Sequence, residues 1–226
     1  NITMDELVPY AEKLAEKVSD ELNIPIYLYE NAAREDKRRN LANVRSGEYE
    51  GLKKKINGND WKPDFGKEFN KKSGATAIGV RDFLIAYNIN LNTKSTRLAN
   101  AIAFDVREKG RIKRDGHPVI GEIVYDKDGN PESIPGSLKH VKAIGWYIEE
   151  FGIAQISMNL TNITETPIHI VFEEVVKKAN ARGASVTGSE LVGLIPLKSM
   201  IDAGKYFLKK QNRSVGIPEE DIIKIA

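Results

Sequence analysis

Apolar residues recur at helical spacing from the start of the chain. Thr3 and Glu6 form a capping box ahead of Leu7, Val8, Ala11, Leu14, Ala15, Val18 and Leu22, which predicts an amphipathic helix. Ile24 to Tyr29 then reads as a strand. From Asn31 to Gly74 the pattern turns polar, with a charge run from Arg34 to Arg39, lysines at 53 to 55 and the loop WKPDFGKEFNKKSG, so irregular structure is expected there.

Regular alternation resumes at a short strand, Ala75 to Arg81. In Phe83 to Leu91 the residues Ile85, Tyr87, Ile89 and Leu91 alternate with Ala86, Asn88 and Asn90, giving a strand with one apolar and one amide-bearing face. A helix follows from about Lys94 to Lys109, with Leu98, Ile102 and Val106 on its core side. His117 to Ile134 reads as an inserted hairpin around Asp128-Gly129-Asn130. The alternation of Ile144, Trp146 and Ile148 predicts a strand over Val141 to Glu150. A second half-buried strand alternates Ile156, Met158 and Leu160 with Gln155, Ser157, Asn159 and Thr161. Ile168, Val171, Phe172, Val175, Val176 and Ala179 trace a helix. Strand-like Ala184 to Ser189 and a helix near Leu197 to Lys210 come next, and Pro218 to Ala226 is also helix-forming.

Counted from Phe83, the order is βαββαβ plus a terminal helix, the ferredoxin-like plan with both helices on one face of an antiparallel sheet. The fold class is therefore α+β, with residues 82–226 forming the ferredoxin-like unit; the helix of residues 1–81 needs a partner sheet that the nearby strand alone does not supply, so that stretch is expected to be the tail of an α/β domain whose beginning is absent. In this plan the first and third strands are neighbours, so Asn88 and Asn90 meet Gln155, Ser157 and Asn159 on the uncovered face as a polar floor. Carboxamides both donate and accept, which suits a neutral heterocycle or an amino acid better than a metal. Pattern alone leaves a ligand and plain water equally open as the facing partner.

Composition narrows the chemistry. The 226 residues carry 34 basic and 32 acidic side chains, a net charge of +2 that gives no drive for non-specific nucleic-acid binding. No cysteine is present, which removes disulfides, thiolate zinc sites and a cysteine nucleophile and fits a reducing, cytoplasmic setting. No stretch has the length and apolarity of a membrane span, and no secretory leader pattern opens the chain. The three histidines, His117, His140 and His169, lack metal-ligand spacing, so no metal is expected. No nucleophile elbow, P-loop or dinucleotide fingerprint follows a strand. The glycine-bracketed loop Gly66, Lys67, Glu68, Phe69, Asn70, Lys71, Lys72, Ser73, Gly74 reads either as a solvated turn or as a cradle for a carboxylated ligand.

Several strings are more specific in combination: TMDEL, IPIYLYENAA, VRSGEYEGL, WKPDFG, GATAIGVRDFLIAYNINLNT, AIGWYIEEFGIAQISMNLTN and VTGSELVGLIPLKSMIDAGKYFL. In order, from Thr3 to about Phe207 and interrupted mainly by Gly110 to Pro135, they resemble the glutamate formimidoyltransferase (formiminotransferase) family. The resemblance implies transfer of a formimidoyl group from N-formimidoyl-L-glutamate to N5 of tetrahydrofolate, releasing L-glutamate, in histidine degradation. It implies two similar subdomains whose open sheet faces line a folate tunnel, residues 1–81 being the remainder of the N-terminal α/β subdomain with its folate-binding loop and residues 82–226 the C-terminal one, with tetrahydrofolate as co-substrate and no metal. The residues it marks for folate are Gly66 to Gly74, in a loop one residue shorter than the family's and carrying its own Asn70-Lys71-Lys72, together with Asn88, Asn90 and Asn159. The family's general base is a histidine in a His-Pro-Arg-Met-Gly context ahead of the TMDEL-like string, and this sequence starts after that point. His117 also precedes a proline, but Val119-Ile120-Gly121 follows, so no catalytic residue is assigned. The expectation is a monofunctional enzyme without a cyclodeaminase domain, folate-competent but catalytically crippled as the 226-residue chain. The alternative is a folate-binding module without turnover. The expected partners are the two substrates, with neither nucleic acid nor membrane, and a homodimer is an allowed assembly.

Overall fold

The computed structural model of the chain describes residues 2–117 and 120–212; the helix-forming stretch Pro218 to Ala226 lies outside them. The chain divides into two compact units, Asn1–Asp82 and Phe83–Ala226.

In the first unit the capping box forms as the sequence predicts. Glu6 N–H donates to Thr3 Oγ1 at 3.3 Å and Thr3 N–H to Glu6 Oε2 at 2.7 Å, satisfying two of the donors that a helix start leaves unpaired. Helix α1 (Met4–Leu22) ends at Asn23, which adopts the left-handed conformation. Strands β1 (Ile26–Glu30) and β2 (Thr76–Val80) pair in parallel, with Ile26 beside Thr76. Ala11 and Ala15 of α1 pack with Ile26, Leu28, Ala32 and Val80. The apolar stripe of α1 is narrower than predicted, because Leu14 and Leu22 are exposed.

A second small core holds Tyr27, Val44 and Ile56. It is closed by α2 (Leu41–Val44) and α3 (Glu48–Asn57), so the segment expected to be irregular carries two helices and a 3₁₀ turn over Asp36–Arg38. Each of these helices buries one residue, and a lone Val44 or Ile56 leaves no stripe for periodicity to reveal. Their signals are local instead: Asn40 caps α2, Glu48 and Glu50 open α3, and Lys54 and Lys55 close it.

The second unit begins with β3 (Ile85–Leu91) and α4 (Thr96–Val106). Four two-residue strands follow: β4 (Arg111–Ile112), β5 (Arg114–Asp115), β6 (Glu122–Ile123) and β7 (Ser133–Ile134). β4 pairs with β7 and β5 with β6, so the inserted hairpin starts at Arg111 rather than His117. At its tip Asp126 N–H donates to Asn130 O, and Gly129 supplies the positive φ of the turn. Then come β8 (Val141–Ile148), β9 (Ile153–Leu160), α5 (Ile168–Asn180), β10 (Val186–Val192) and α6 (Leu197–Lys210).

The four long strands pair antiparallel in the order β10-β3-β9-β8, and the core cluster joins one sheet face to α4 and α5. This is the ferredoxin-like arrangement, and the α+β class follows. β10 runs three residues past its expected end at Ser189, because pairing with β3 continues through Glu190 beside Asn88 to Val192 beside Ala86. Among the described residues no helix is long and apolar enough to cross a membrane.

Candidate functional site

Period-2 alternation sends Ile85, Tyr87, Ile89 and Leu91 of β3 into the helix-covered core, so Ala86, Asn88 and Asn90 stand on the opposite face. On β9 the same rule buries Ile156, Met158 and Leu160 under the helices and turns Gln155, Ser157 and Asn159 to the other side. On β8 the core side takes Val141 and then the small residues Ala143 and Gly145, and the large Ile144 and Trp146 face outward. Gly145 has a specific cause. A Cβ there would lie 2.3 Å from the Asn100 nitrogen and 2.4 Å from the Ala99 carbonyl carbon, so α4 seats directly on the glycine. Asn100 clamps the contact, donating from Nδ2 to Gly145 O (2.8 Å) and accepting Gly145 N–H (3.0 Å).

Strand registers order the uncovered face into three rows. The first reads Gly188, Asn90, Gln155, Trp146; the second Glu190, Asn88, Ser157, Ile144; the third Val192, Ala86, Asn159, Lys142. The amides interlock. Trp146 Nε1–H donates to Gln155 Oε1 (2.9 Å), and Gln155 Nε2 donates to Asn90 Oδ1 (2.7 Å) and, more weakly, to Glu190 Oε2 (3.4 Å). Asn88 Nδ2 donates to the same Glu190 oxygen at 3.0 Å. Gln155 is wholly buried and Asn88 nearly so, whereas Asn159 is exposed. Indole is a donor only, so the Gln155 carbonyl must face Trp146 and its NH₂ must face Asn90 and Glu190. Sequence reasoning named the amides of this floor but missed Trp146, Glu190 and Gly188.

The Gly66 to Gly74 loop belongs to the first unit and is held at both ends. At its entrance Ile26 N–H donates to Phe65 O, and Asp64 accepts Leu28 N–H (2.8 Å) and Arg38 Nη1 (2.7 Å). Gly66 has φ 71°, and a Cβ there would meet Ser19 Oγ at 2.8 Å, so conformation and space both demand glycine. At its exit Asn70 Oδ1 accepts the N–H groups of Lys72 and Ser73, each at 2.9 Å, and Asn70 Nδ2 donates to Asn23 O. The Asn70 amide is thus committed to shaping the loop. Tyr49 hydroxyl donates to Lys71 O (2.6 Å), and its ring lies 5.6 Å from Phe69. Lys67, Glu68, Lys71 and Lys72 remain exposed. Ser73 and Gly74 border a cavity of about 360 Å³ that is also lined by Tyr27, Leu41, Tyr49, Leu52 and Lys55.

Neither His140 nor His169 lies on the floor. His140 Nε2 is 2.9 Å from Glu165, and His169 stacks on Tyr206, joining α5 to α6. Burial pushes the His169 imidazole below its ordinary value, although Asp202 and Glu173 oppose the shift. His117 lies in the insertion and accepts Ile120 N–H. Among the described residues no three His, Asp or Glu side chains gather as a metal site.

Comparison with known proteins gives the lineage. Residues 86–226 match the formiminotransferase domain and residues 1–81 match the N-terminal subdomain of the formiminotransferase domain. Formimidoyltransferase-cyclodeaminase of Gallus gallus is 45% identical over 226 residues, which is all of this chain and 38% of that protein. Glutamate formimidoyltransferase of Streptococcus pyogenes serotype M1 is 36% identical over 213 residues, 94% of this chain and 63% of its own length. The Thermoplasma acidophilum protein of the same name is 38% identical over 208 residues, 91% of this chain and 60% of its own. The chain thus spans less than two thirds of each of these relatives. With both family matches falling in order on the two compact units, the chain belongs to the formiminotransferase domain family.

Proposed function

We propose that this chain contributes the folate-holding part of a glutamate formimidoyltransferase, in which N5 of tetrahydrofolate displaces the nitrogen of N-formimidoyl-L-glutamate. In that exchange the N5–C bond forms, the bond from the formimidoyl carbon to the glutamate nitrogen breaks, and the N5 proton ends on the departing L-glutamate amine. The observation that carries the reading is the floor, where Asn88, Asn90 and Asn159 stand on the sheet face opposite α4 and α5. Neighbouring amides there offer donors and acceptors in a fixed pattern, as a pterin edge requires. The exposed lysines of the Gly66 to Gly74 loop suit the carboxylates of a glutamyl tail.

Tetrahydrofolate binding to Asn159→Leu tests the reading. The variant is expected to fold as the parent does and to bind about 1–3 kcal/mol more weakly, because a ligand polar group loses its partner. Unchanged affinity would return Asn159 to a solvent-facing role. A second reading, folate binding without turnover, is favoured by the positions of His140 and His169 away from the floor. Formimidoyl transfer by the 226-residue chain and by a version extended upstream separates the two: activity only in the extended form supports a base supplied from upstream, and activity in neither sinks the enzyme reading. A positioned base typically contributes ~10²–10⁴-fold.

A further inference from the structure

We propose that Glu190 is the receptor for an amidine-type edge, two coplanar N–H groups on one carbon, presented by a ligand lying on the floor of the second unit. Its identity as a substrate group rests on the function proposed above; its chemistry rests on the floor itself.

Glu190 is the one acidic side chain in the three rows, and its neighbours there are neutral amides, a hydroxyl and apolar groups, with Lys142 at the far strand. Two amides aim at it from the interior strands, Asn88 from β3 and Gln155 from β9, and both donate to Oε2. Gln155 cannot turn away, since it is wholly buried and its carbonyl is fixed by the Trp146 indole. The carboxylate is therefore held in one orientation by groups that cannot neutralise it, while Glu190 itself remains exposed. Oε1 has no protein partner among the described residues. Room exists beside it: two positions along β10, a Cβ on Gly188 would meet only Asn90 Nδ2, at 3.9 Å. A fixed, accessible carboxylate next to an open position is complementary to a planar pair of N–H donors, and such two-point bonds are strong when the donor is cationic.

Both expected substrates carry that edge. A formimidoyl group on nitrogen is an amidine, cationic near neutral pH, with N–H groups on either side of one carbon. The pterin ring offers a neutral counterpart in its 2-amino group and the adjacent ring N–H. The charged edge matches a carboxylate better, and the experiment separates the two sources.

The chain contains two tryptophans, and the Trp146 indole N–H touches Gln155 within this network, which gives a local reporter. ¹⁵N-labelled protein is titrated with formamidinium, with N-formimidoyl-L-glutamate and with tetrahydrofolate, following the Trp146 indole cross-peak assigned by its loss in Trp146→Phe. Formamidinium is expected to move the Trp146 peak and leave the Trp61 peak in place, with Glu190→Gln weakening the titration about tenfold or more. Glu190→Gln should likewise weaken one natural ligand: N-formimidoyl-L-glutamate if the receptor serves the donor, tetrahydrofolate if it serves the pterin. Equal titrations of parent and Glu190→Gln by all three compounds would overturn the inference. A Glu190-dependent formamidinium response in a protein that binds neither natural ligand would uphold the receptor and sink the transferase reading.

Discussion

Replacing Asp64 by asparagine removes one charge from an ion pair that the first unit keeps out of water. The Asp64 and Arg38 side chains are 4% and 5% exposed, and the Arg38 Nη1 to Asp64 Oδ2 distance is 2.7 Å. Breaking a buried pair typically costs ~3–5 kcal/mol, because the remaining charge stays desolvated without its partner. Arg38 is not left bare, since Nη2 is 2.9 Å from half-exposed Glu35 and also donates to Lys62 O. Its Nε already lacks a partner, however. The lower end of the range, about 3 kcal/mol, is therefore expected. The assay is urea unfolding followed by Trp61 fluorescence in a Trp146→Phe background, which leaves one tryptophan, in the first unit. Trp61 is well placed to report, as the Arg38 guanidinium lies 5.8 Å from its ring and its carbonyl accepts the Tyr27 hydroxyl at 2.6 Å. Because Asp64 also holds Leu28 N–H just ahead of Gly66, amide exchange in the Gly66 to Gly74 loop should speed up alongside. A loss below about 1 kcal/mol with unchanged exchange would refute the view that this pair anchors the loop entrance.

Two further outcomes follow from packing and titration. Gly145→Ala should lower stability by about 1–3 kcal/mol or more, since even a methyl forces α4 off the sheet at Asn100, and thermal unfolding of the second unit reads it directly. His169 carries a pH signature: with its folded value held below the ordinary 6.5, mainly by burial, the unfolded chain takes up the proton first. The stability tied to the neutral ring is thus present above 6.5 and lost as pH falls from there through the lower folded value, and His169→Phe should flatten the decline of the unfolding midpoint on the acid side of 6.5.

Much of the second unit was legible because its strands obey one rule. In β3 and β9 the large apolar residues, Ile153 at the start of β9 excepted, point to the helices and every amide points away, so alternation alone assigned Asn88, Asn90, Gln155, Ser157 and Asn159 to a common face. β8 breaks that correlation. Past Val141 its core-facing positions hold Ala143 and Gly145 because α4 lies so close, and the bulk of Ile144 and Trp146 is on the uncovered side. The alternation revealed a strand there but not its polarity, and the contact glycine was the clue to the side. The same arrangement puts one aromatic ring, Trp146, on a face that sequence reasoning expected to show amides alone.

Glu190 escaped notice for a different reason. The strand was expected to span Ala184 to Ser189, glutamate has low strand propensity, and a residue beyond a strand's end has no assigned face. Pairing with β3 outweighs that local preference, carrying the strand on to Val192 and placing the carboxylate beside Asn88. Asn88 and Gln155 then give the unfavourable residue its partners, so the position weakest in strand propensity becomes the charged point of an otherwise neutral floor. Local preference and pairing disagree at Glu190, and disagreements of that kind are where function is most often found.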